Sequence, residues 1–247
     1  MDGEQRGRPD PDYEMRVVAF LDVLGFSALV TRADRDDSKR EVILTIIRTL
    51  RETLARNPSV GFEFTQFSDS IVISANVNLY GMHAVFAGCR MLAVNLLQHG
   101  VLLRGGISVG NLTHSDDVLF GPGLLTAYRC DARGAPPRIA LHTSMKETVD
   151  DYSAAYGLGE MIRRDHHDLS PMLDTLLDFA EYRQVPKPGQ PVWDGPASLI
   201  VAHIDRHTQD LTLEPGVRAK WRWMRDYWNR AVARRNILPL AAVDEED

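Results

Sequence analysis

The sequence predicts an α+β fold, with a ferredoxin-like βαββαβ core, one extra hairpin and a C-terminal helical extension. Two observations lead to this prediction. Apolar runs typical of strands alternate with segments whose apolar residues recur at helical spacing, and they follow the order β-α-β-β-α-β over residues 15–110. A hairpin, a helix and a short strand complete a core that ends at residue 142. The 247 residues are enough for one large domain, or for a domain with an appendage.

The first strand, residues 15–22, is a continuous apolar run of the kind found at the centre of a sheet. Residues 36–56 predict a helix, because their apolar side chains fall on one stripe and Asn57-Pro58 ends it. The other predicted elements of the core are strands over 61–67 and 71–76, a helix over 79–99, strands over 101–110 and 111–120, a helix over 123–132, and a strand over 138–141.

Residues 143–240 are predicted to form an extension that packs on the core or on a second copy of the chain. Within it, the apolar run 199–204 predicts a late strand, and residues 215–235 predict a last helix. Residues 1–14 are polar and predict a disordered leader, and residues 241–247 predict a frayed acidic tail.

Charge and cysteine content exclude some classes of protein. The net charge of −6 and the pI of about 5.8 argue against a basic surface that grips nucleic acid. The two cysteines, Cys89 and Cys130, form no CxxC pair, and the polar start of the chain has no signal-peptide pattern. No window approaches 18 apolar residues. We therefore expect a reduced, cytoplasmic protein with no nucleic-acid partner and no membrane span.

Two acidic residues follow strand-like runs. Asp22 ends the first strand, and Asp69 lies in the tight turn between the second and third strands. In a βαββαβ core these positions are neighbours at the centre of the sheet, and two close carboxylates repel each other unless a cation lies between them. The pair therefore predicts a site for divalent cations. Each residue alone also fits a structural role, Asp22 as a helix cap and Asp69 as a turn residue.

Two further features suggest a phosphate-bearing ligand. The segment Val23-Leu24-Gly25-Phe26-Ser27 predicts a bend and a helix start, which together present backbone N–H groups to an anion. Arg104 precedes Gly105 and Gly106, and its guanidinium suits a phosphate or a pyrimidine carbonyl. The alternative for Arg104 is an ion pair with Asp69 or another carboxylate.

Four motifs in order resemble class III nucleotidyl cyclases over residues 15–142. They are Phe20-Leu21-Asp22-Val23-Leu24-Gly25-Phe26-Ser27, Phe67-Ser68-Asp69-Ser70, Leu103-Arg104-Gly105-Gly106-Ile107-Ser108-Val109-Gly110 and Phe120-Gly121. The resemblance implies a homodimer that closes a cyclic nucleotide ring and releases pyrophosphate. It also implies two divalent cations, Mn²⁺ or Mg²⁺, on Asp22 and Asp69. The phosphates would contact the backbone of Val23, Gly25 and Phe26 and the hydroxyl of Ser27.

The sequence departs from purine cyclases where those enzymes read the base. Thr65 replaces the usual lysine, Val118 replaces a polar reader, and Leu125 replaces an asparagine, while Arg129 falls where a transition-state arginine lies. The combination resembles the bacterial pyrimidine cyclases of Pycsar anti-phage systems. That resemblance implies cyclic UMP or cyclic CMP made from UTP or CTP, and a separate effector that responds to it. UTP is favoured, because Arg104 can only donate hydrogen bonds.

Other classes of function stay open. A non-catalytic nucleotide sensor would also lose its base readers. A diguanylate cyclase would carry a Gly-Gly-(Asp/Glu)-(Asp/Glu)-Phe signature, which the chain lacks, and an RNA-binding domain would need a basic sheet face. The run Asp165-His166-His167-Asp168 has the composition of a metal patch, but adjacent side chains rarely face one point, so it predicts a surface loop.

Overall fold

The computed structural model describes residues 13–55, 61–115, 117–130, 136–177 and 195–233, and these residues confirm the predicted α+β class. The strands are β1 (Glu14–Val23), β2 (Glu63–Phe67), β3 (Ser70–Asn76), β4 (Leu103–His114), β5 (Leu119–Phe120), β6 (Ile139–Leu141), β7 (Ile162–Arg164) and β8 (Pro171–Leu173). The helices are α1 (Phe26–Ala33), α2 (Asp37–Ala55), α3 (Leu79–Leu97), α4 (Pro122–Cys130), α5 (Lys146–Tyr156), α6 (Pro196–Gln209) and α7 (Pro215–Ala233).

The strands form one sheet in the order β2-β3-β1-β4-β6-β8-β7, with β5 paired to β4. Strand β1 is antiparallel to both β3 and β4, and β2 is antiparallel to β3, which is the arrangement of a ferredoxin-like core. The extra hairpin is also present, since Thr113 of β4 pairs with Phe120 of β5. The predicted βαββαβ core with an added hairpin is therefore confirmed.

Strand β1 is central because it is apolar on both faces. Val17, Ala19 and Leu21 contribute to the main core, which contains side chains of α2 and α3. Val18 and Phe20 point to the opposite face, where they join a smaller cluster that includes Ala127 of α4. Helices therefore cover both faces of this part of the sheet, and residues 16, 18, 20 and 22 of β1 share the face on which α4 lies.

A second core lies between α6, α7, Leu97 of α3, Leu102 just before β4, and Met172 of β8. Its largest members, Trp221, Trp223 and Trp228, are all at least 95% buried. Each such side chain stabilises the fold by about 2–3 kcal/mol through the apolar area that it removes from water. The last helix is therefore a packed part of the chain.

One predicted strand is wrong. Residues 199–204 lie within α6, which begins with Pro196 at its first turn. Ile200, Val201 and Ile204 are buried, at the spacing of one helical face. A short apolar run has the same composition in a buried strand and on a buried helix face, so the sequence pattern did not separate them.

The predicted return strand over 111–120 is also wrong over most of its length. Strand β4 continues to His114, because Asn111 and Leu112 still pair with Met15 and Glu14 of β1. Only Leu119–Phe120 returns as β5. Strand β1 begins at Glu14, one residue before the predicted start. Its first two residues therefore provide pairing partners for β4 beyond Gly110.

The segment after residue 142 contributes to the same sheet. Met172 of β8 pairs with Ala140 of β6, and β7 pairs with β8. Of the predicted leader and tail, only Tyr13 and Glu14 belong to the described residues. Among the helices of the described ranges, none is both long and apolar enough to cross a membrane.

Candidate active site

Asp22 lies near the end of the central strand, where three strands meet. It stands opposite Ser70 of β3 on one side and opposite Arg104 of β4 on the other. Its side chain shares the face of Phe20, and only 18% of it is exposed. A carboxylate so far removed from water requires a partner of opposite charge or a bound cation.

Asp69 is held beside this position by the β2–β3 hairpin. The turn contains Ser68 in the left-handed conformation, with φ of 53°, and the backbone N–H of Val23 donates to the carbonyl oxygen of Asp69 over 2.9 Å. The backbone of Asp69 therefore lies opposite Val23, next to the Asp22–Ser70 pair. The structure brings the two predicted acidic residues to the same corner of the sheet.

Arg104 forms an ion pair with Asp22. Its Nε and one terminal guanidinium nitrogen each lie 3.0 Å from Oδ2 of Asp22, and its side chain is 17% exposed. This is the alternative that the sequence left open, a pairing with a carboxylate. Both nitrogens bind the same oxygen, so the guanidinium neutralises Asp22 on the β4 side.

The turn after β1 is shaped by Gly25. Its φ of 78° lies in the left-handed region, and a Cβ built at this position would meet nothing within 4 Å, so the backbone conformation rather than space favours glycine. Gly25 is the N-cap of α1 and provides no side-chain cap, while its carbonyl accepts from Leu29. Asp22 is therefore not the cap of this helix.

The first turn of α1 follows directly. Phe26 is buried in the main core, and Ser27 is exposed. The helix start therefore presents its N–H groups and the Ser27 hydroxyl near the end of β1, where an anion would be stabilised by the helix dipole.

Thr65 belongs to a polar network on the same face of the sheet. Its Oγ1 lies 2.9 Å from Nε2 of His114, and Nδ1 of His114 lies 2.8 Å from Oγ of Ser74. Nε of Arg16 donates to the same Ser74 oxygen over 2.9 Å. Side chains from all four strands of the ferredoxin-like core are thus connected, and Thr65 is bound within the chain.

Burial, and then the neighbouring Arg16 guanidinium, lower the pKa of His114 to about 4. His114 is therefore neutral at pH 7, with one ring nitrogen as donor and the other as acceptor. Arg16 is itself balanced by Glu14, whose carboxylate lies 2.5 Å away, and it also donates to the carbonyl of Gly61. The network is charged at one end and neutral at the other.

Arg129 lies in the last turn of α4. It is exposed on α4 and lines a cleft of about 300 Å³ with Thr126, Cys130 and His142. Helix α4 packs closely on β4 because Gly106 has no side chain: a Cβ there would lie 2.2 Å from Cβ of Cys130.

The predicted site residues fall into three groups. Asp22 and Arg104 form an ion pair, and the backbone of Asp69 lies beside them at the end of β1. Val23, Gly25, Phe26 and Ser27 lead directly away from this corner. Thr65 lies in the polar network, and Arg129 lies on α4.

The sequence reading missed three members of the polar network, Arg16, Ser74 and His114. Arg16 interrupts the apolar run of β1, and it is 94% buried. A charge inside a central strand was the signal that could have indicated the network, since such a charge must be paired.

Comparisons with known proteins identify only solved structures. No protein family model matches the chain, and no curated protein matches it. An adenylate/guanylate cyclase/hydrolase from Silicibacter pomeroyi is 16% identical, with a TM-score of 0.46 over 66% of this chain and 96% of that one. The non-canonical dimeric guanylyl cyclase domain of a RhoGC fusion protein from the aquatic fungus Blastocladiella emersonii is 14% identical, with a TM-score of 0.46 over 65% and 93% of the two chains.

A bacterial light-regulated adenylyl cyclase is 20% identical, with a TM-score of 0.39 over 56% of this chain. The match spans 46% of that longer protein.

Proposed function

We propose that the chain is a metal-dependent pyrimidine nucleotide cyclase that converts UTP or CTP to the 3′,5′-cyclic monophosphate and pyrophosphate. One observation carries the proposal: Asp22 ends the central strand beside the Asp69 hairpin, and the chain then turns through Gly25 into a helix start. A metal-ligand pair and an anion cradle thus come from adjacent segments of backbone. This combination suits a triphosphate.

The acidic corner fits divalent cations of the magnesium type. Carboxylate oxygens are the ligands that Mg²⁺ and Mn²⁺ prefer, and Asp22 already holds a positive group, the guanidinium of Arg104. Asp22 and Asp69 would hold two such ions. When bound, the ions would make the ribose 3′-hydroxyl more acidic and neutralise charge that develops on the phosphates.

The chain's own groups would position the triphosphate. The N–H groups at the start of α1 and the hydroxyl of Ser27 would bind phosphate oxygens. Arg104, once Asp22 exchanges it for a cation, would donate to a phosphate or to a carbonyl of the base. The ribose 3′-oxygen then forms a bond to the α-phosphorus, the bond from that phosphorus to the bridging oxygen breaks, and pyrophosphate leaves. The 3′-hydroxyl proton passes to Asp22 or to water.

The region around Thr65 supports a pyrimidine over a purine. At the position where purine cyclases carry a base-reading lysine, Thr65 is short and its hydroxyl is bound to His114. Uracil presents a carbonyl where cytosine presents an amino group, and a guanidinium can donate only to the former. We therefore propose UTP as the preferred substrate.

A homodimer would complete the site. Phe67, Phe120, Leu125 and Tyr128 are each 53–56% exposed, and Tyr128 packs edge-on against Phe20, on the same face as Asp22. Large apolar side chains exposed together favour an interface. A second copy on this face would cover them and could bring its Arg129 to the acidic corner of the first copy. Light scattering would test this, since Leu125→Asp should convert a dimer to a monomer.

The proposed activity is tested by incubating the chain with each of the four ribonucleoside triphosphates and Mn²⁺ or Mg²⁺, and separating the products by chromatography. We expect cyclic UMP, and less cyclic CMP, with equal amounts of pyrophosphate. Asp22→Asn and Asp69→Asn should lose turnover, whereas Asp150→Asn, which changes an exposed acid on α5, should keep it. No cyclic product from any nucleotide would disprove a cyclase.

A non-catalytic nucleotide sensor is the second candidate. The Arg104–Asp22 ion pair favours it, because Arg104 neutralises Asp22 in place of a metal ion. This candidate predicts metal-dependent binding of a nucleotide with no pyrophosphate released. Calorimetry of UTP binding, run beside the turnover assay, separates the two functions.

We also propose a role for the cyclic product in the cell. A cyclic pyrimidine nucleotide has to be read by another protein, so we propose that the chain acts as an anti-phage messenger synthase with a separate effector. Cells that carry the chain should accumulate the cyclic nucleotide after phage infection, and cells that carry Asp22→Asn should not.

A further inference from the structure

We propose that His166, His167 and Asp226 form a binding site for a divalent transition-metal ion, with zinc the best match, separate from the acidic corner. Each residue offers one ligand atom, two imidazole nitrogens and a carboxylate oxygen, and these atoms lie within 4.8 Å of one another. Zinc binds this set of ligands, whereas magnesium prefers oxygen alone.

The loop between β7 and β8 brings two adjacent histidines to one side. Leu169 adopts the left-handed conformation, with φ of 61°, and its N–H donates to the carbonyl of Asp165 over 3.1 Å. Asp165 in turn donates its N–H to the carbonyl of Ser170 over 2.9 Å. The tight curl places the ring centroids of His166 and His167 only 4.2 Å apart. The sequence predicts a surface loop here, with adjacent side chains that rarely face one point, and the structure differs in bringing the two rings together.

His166 is the strongest sign of a ligand. Its side chain is 90% buried, and its Nε2 is buried without a hydrogen-bond partner in the part of the chain that the structure describes. A buried ring nitrogen without a partner is costly, and a metal ion would supply the missing bond. The ring is also held in place, since it stacks on Trp223 with centroids 5.5 Å apart.

The buried carboxylate of Asp165 lies beside one ring nitrogen of His166. Oδ1 of Asp165 lies 3.8 Å from Nδ1 of His166, and the side chain of Asp165 is fully buried. Arg138 donates to Oδ2 of Asp165 over 2.5 Å, and the backbone N–H of His167 donates to Oδ1 over 2.7 Å. A carboxylate beside one ring nitrogen favours the proton there and leaves the other nitrogen free to bind metal, as in many zinc sites.

Small side-chain movements would close the site around an ion. Zinc bonds to nitrogen and oxygen are about 2.0–2.2 Å long, so tetrahedral ligand atoms lie about 3.4 Å apart. The ligand atoms of the three residues lie within 4.8 Å of one another, which exceeds that separation by about 1.4 Å at most. Asp226 is oriented by Arg225, whose Nε lies 3.6 Å away, and Arg230 adds a positive charge near His166. The ion would therefore compete with nearby cations, which predicts moderate affinity.

The location suggests what the ion would do. His166 and His167 belong to the β7–β8 loop at one edge of the sheet, and Asp226 belongs to α7 in the second core. An ion bound by all three would join the sheet edge to the last helix. We therefore expect the ion to stabilise the fold, and not to take part in turnover.

The test uses the full chain, stripped of metal by a chelator and titrated with Co²⁺ in excess Mg²⁺. We expect one bound equivalent with the visible absorption of four-coordinate cobalt, displaced by Zn²⁺, and a higher unfolding temperature with Zn²⁺. His166→Gln, His167→Gln and Asp226→Asn should each weaken binding at least about tenfold. His83→Gln, which changes an exposed histidine on α3, should not.

His167 is exposed, so its variant keeps the fold, and circular dichroism would verify this for all three. The double variant Asp22→Asn/Asp69→Asn should retain the cobalt spectrum even though it loses the acidic corner. Absence of cobalt binding by the unaltered chain, or equal binding by the three ligand variants, would overturn the proposal.

Discussion

The neutral His114 makes the fold sensitive to acid. In the unfolded chain its pKa takes the ordinary value of 6.5, and in the fold it is about 4. Between these values the unfolded chain binds a proton that the folded chain does not. The stability that comes from a neutral His114 is therefore complete above pH 6.5 and is lost as the pH falls towards 4.

The two pKa values set the size of the effect. A shift from 6.5 to about 4 corresponds to a loss of about 2 kcal/mol when the pH falls from 7 to 5. Relaxation and residual hydration around the ring reduce this, so we expect about 1–2 kcal/mol. The charged group that faces the ring is the guanidinium of Arg16.

The assay is urea unfolding at pH 7 and at pH 5 for the unaltered chain and for His114→Gln. Glutamine binds no proton in this range and can still reach Thr65. At pH 7 the unaltered chain should be more stable, because His114→Gln loses the bond to Ser74, worth about 1 kcal/mol. At pH 5 that advantage should shrink by about 1–2 kcal/mol, or reverse. Equal losses of stability in the two proteins between pH 7 and pH 5 would refute the reasoning.

Two further substitutions test the internal packing of the fold. Gly106→Ala should destabilise the fold by about 1–3 kcal/mol in urea unfolding, because its new Cβ would lie 2.2 Å from Cβ of Cys130. Gly216→Ala is the control, because a Cβ there meets nothing within 4 Å. It should change the free energy of unfolding by less than about 1 kcal/mol. Tyr227→Phe removes a 2.7 Å hydrogen bond to the buried Asp174, so it should lower the free energy of unfolding by about 1–3 kcal/mol. A loss below about 0.5 kcal/mol would contradict that assignment.

The sequence predicted the centre of the fold well, because local patterns determine it. The apolar run of β1, the hairpin at Asp69 and the helices on either side each show their own periodicity. These elements then define the ferredoxin-like order, which places the backbone of Asp69 beside the end of β1. The Arg104–Asp22 pair was foreseen only as an alternative, since the choice depends on the register of β4 against β1.

What the sequence did not predict depends on contacts between distant segments. His114 lies 40 residues from Ser74 and 49 from Thr65, and no local pattern connects them. His166 and Asp226 likewise meet only because α7 packs beside the β7–β8 loop. The apolar run in α6 was misread as a strand, because its length and composition suit both structures.

The ion pair between Asp22 of β1 and Arg104 of β4 means that folding and metal binding are separate events. Since Asp22 already has a positive neighbour, we expect the chain to reach its native structure in a buffer that contains a chelator. A metal ion that binds Asp22 must displace the guanidinium of Arg104. If that ion pair is worth about 1 kcal/mol, it weakens the apparent affinity for the metal ion roughly fivefold. The proposed turnover should accordingly saturate only at metal concentrations above those that Asp22 and Asp69 would need without Arg104.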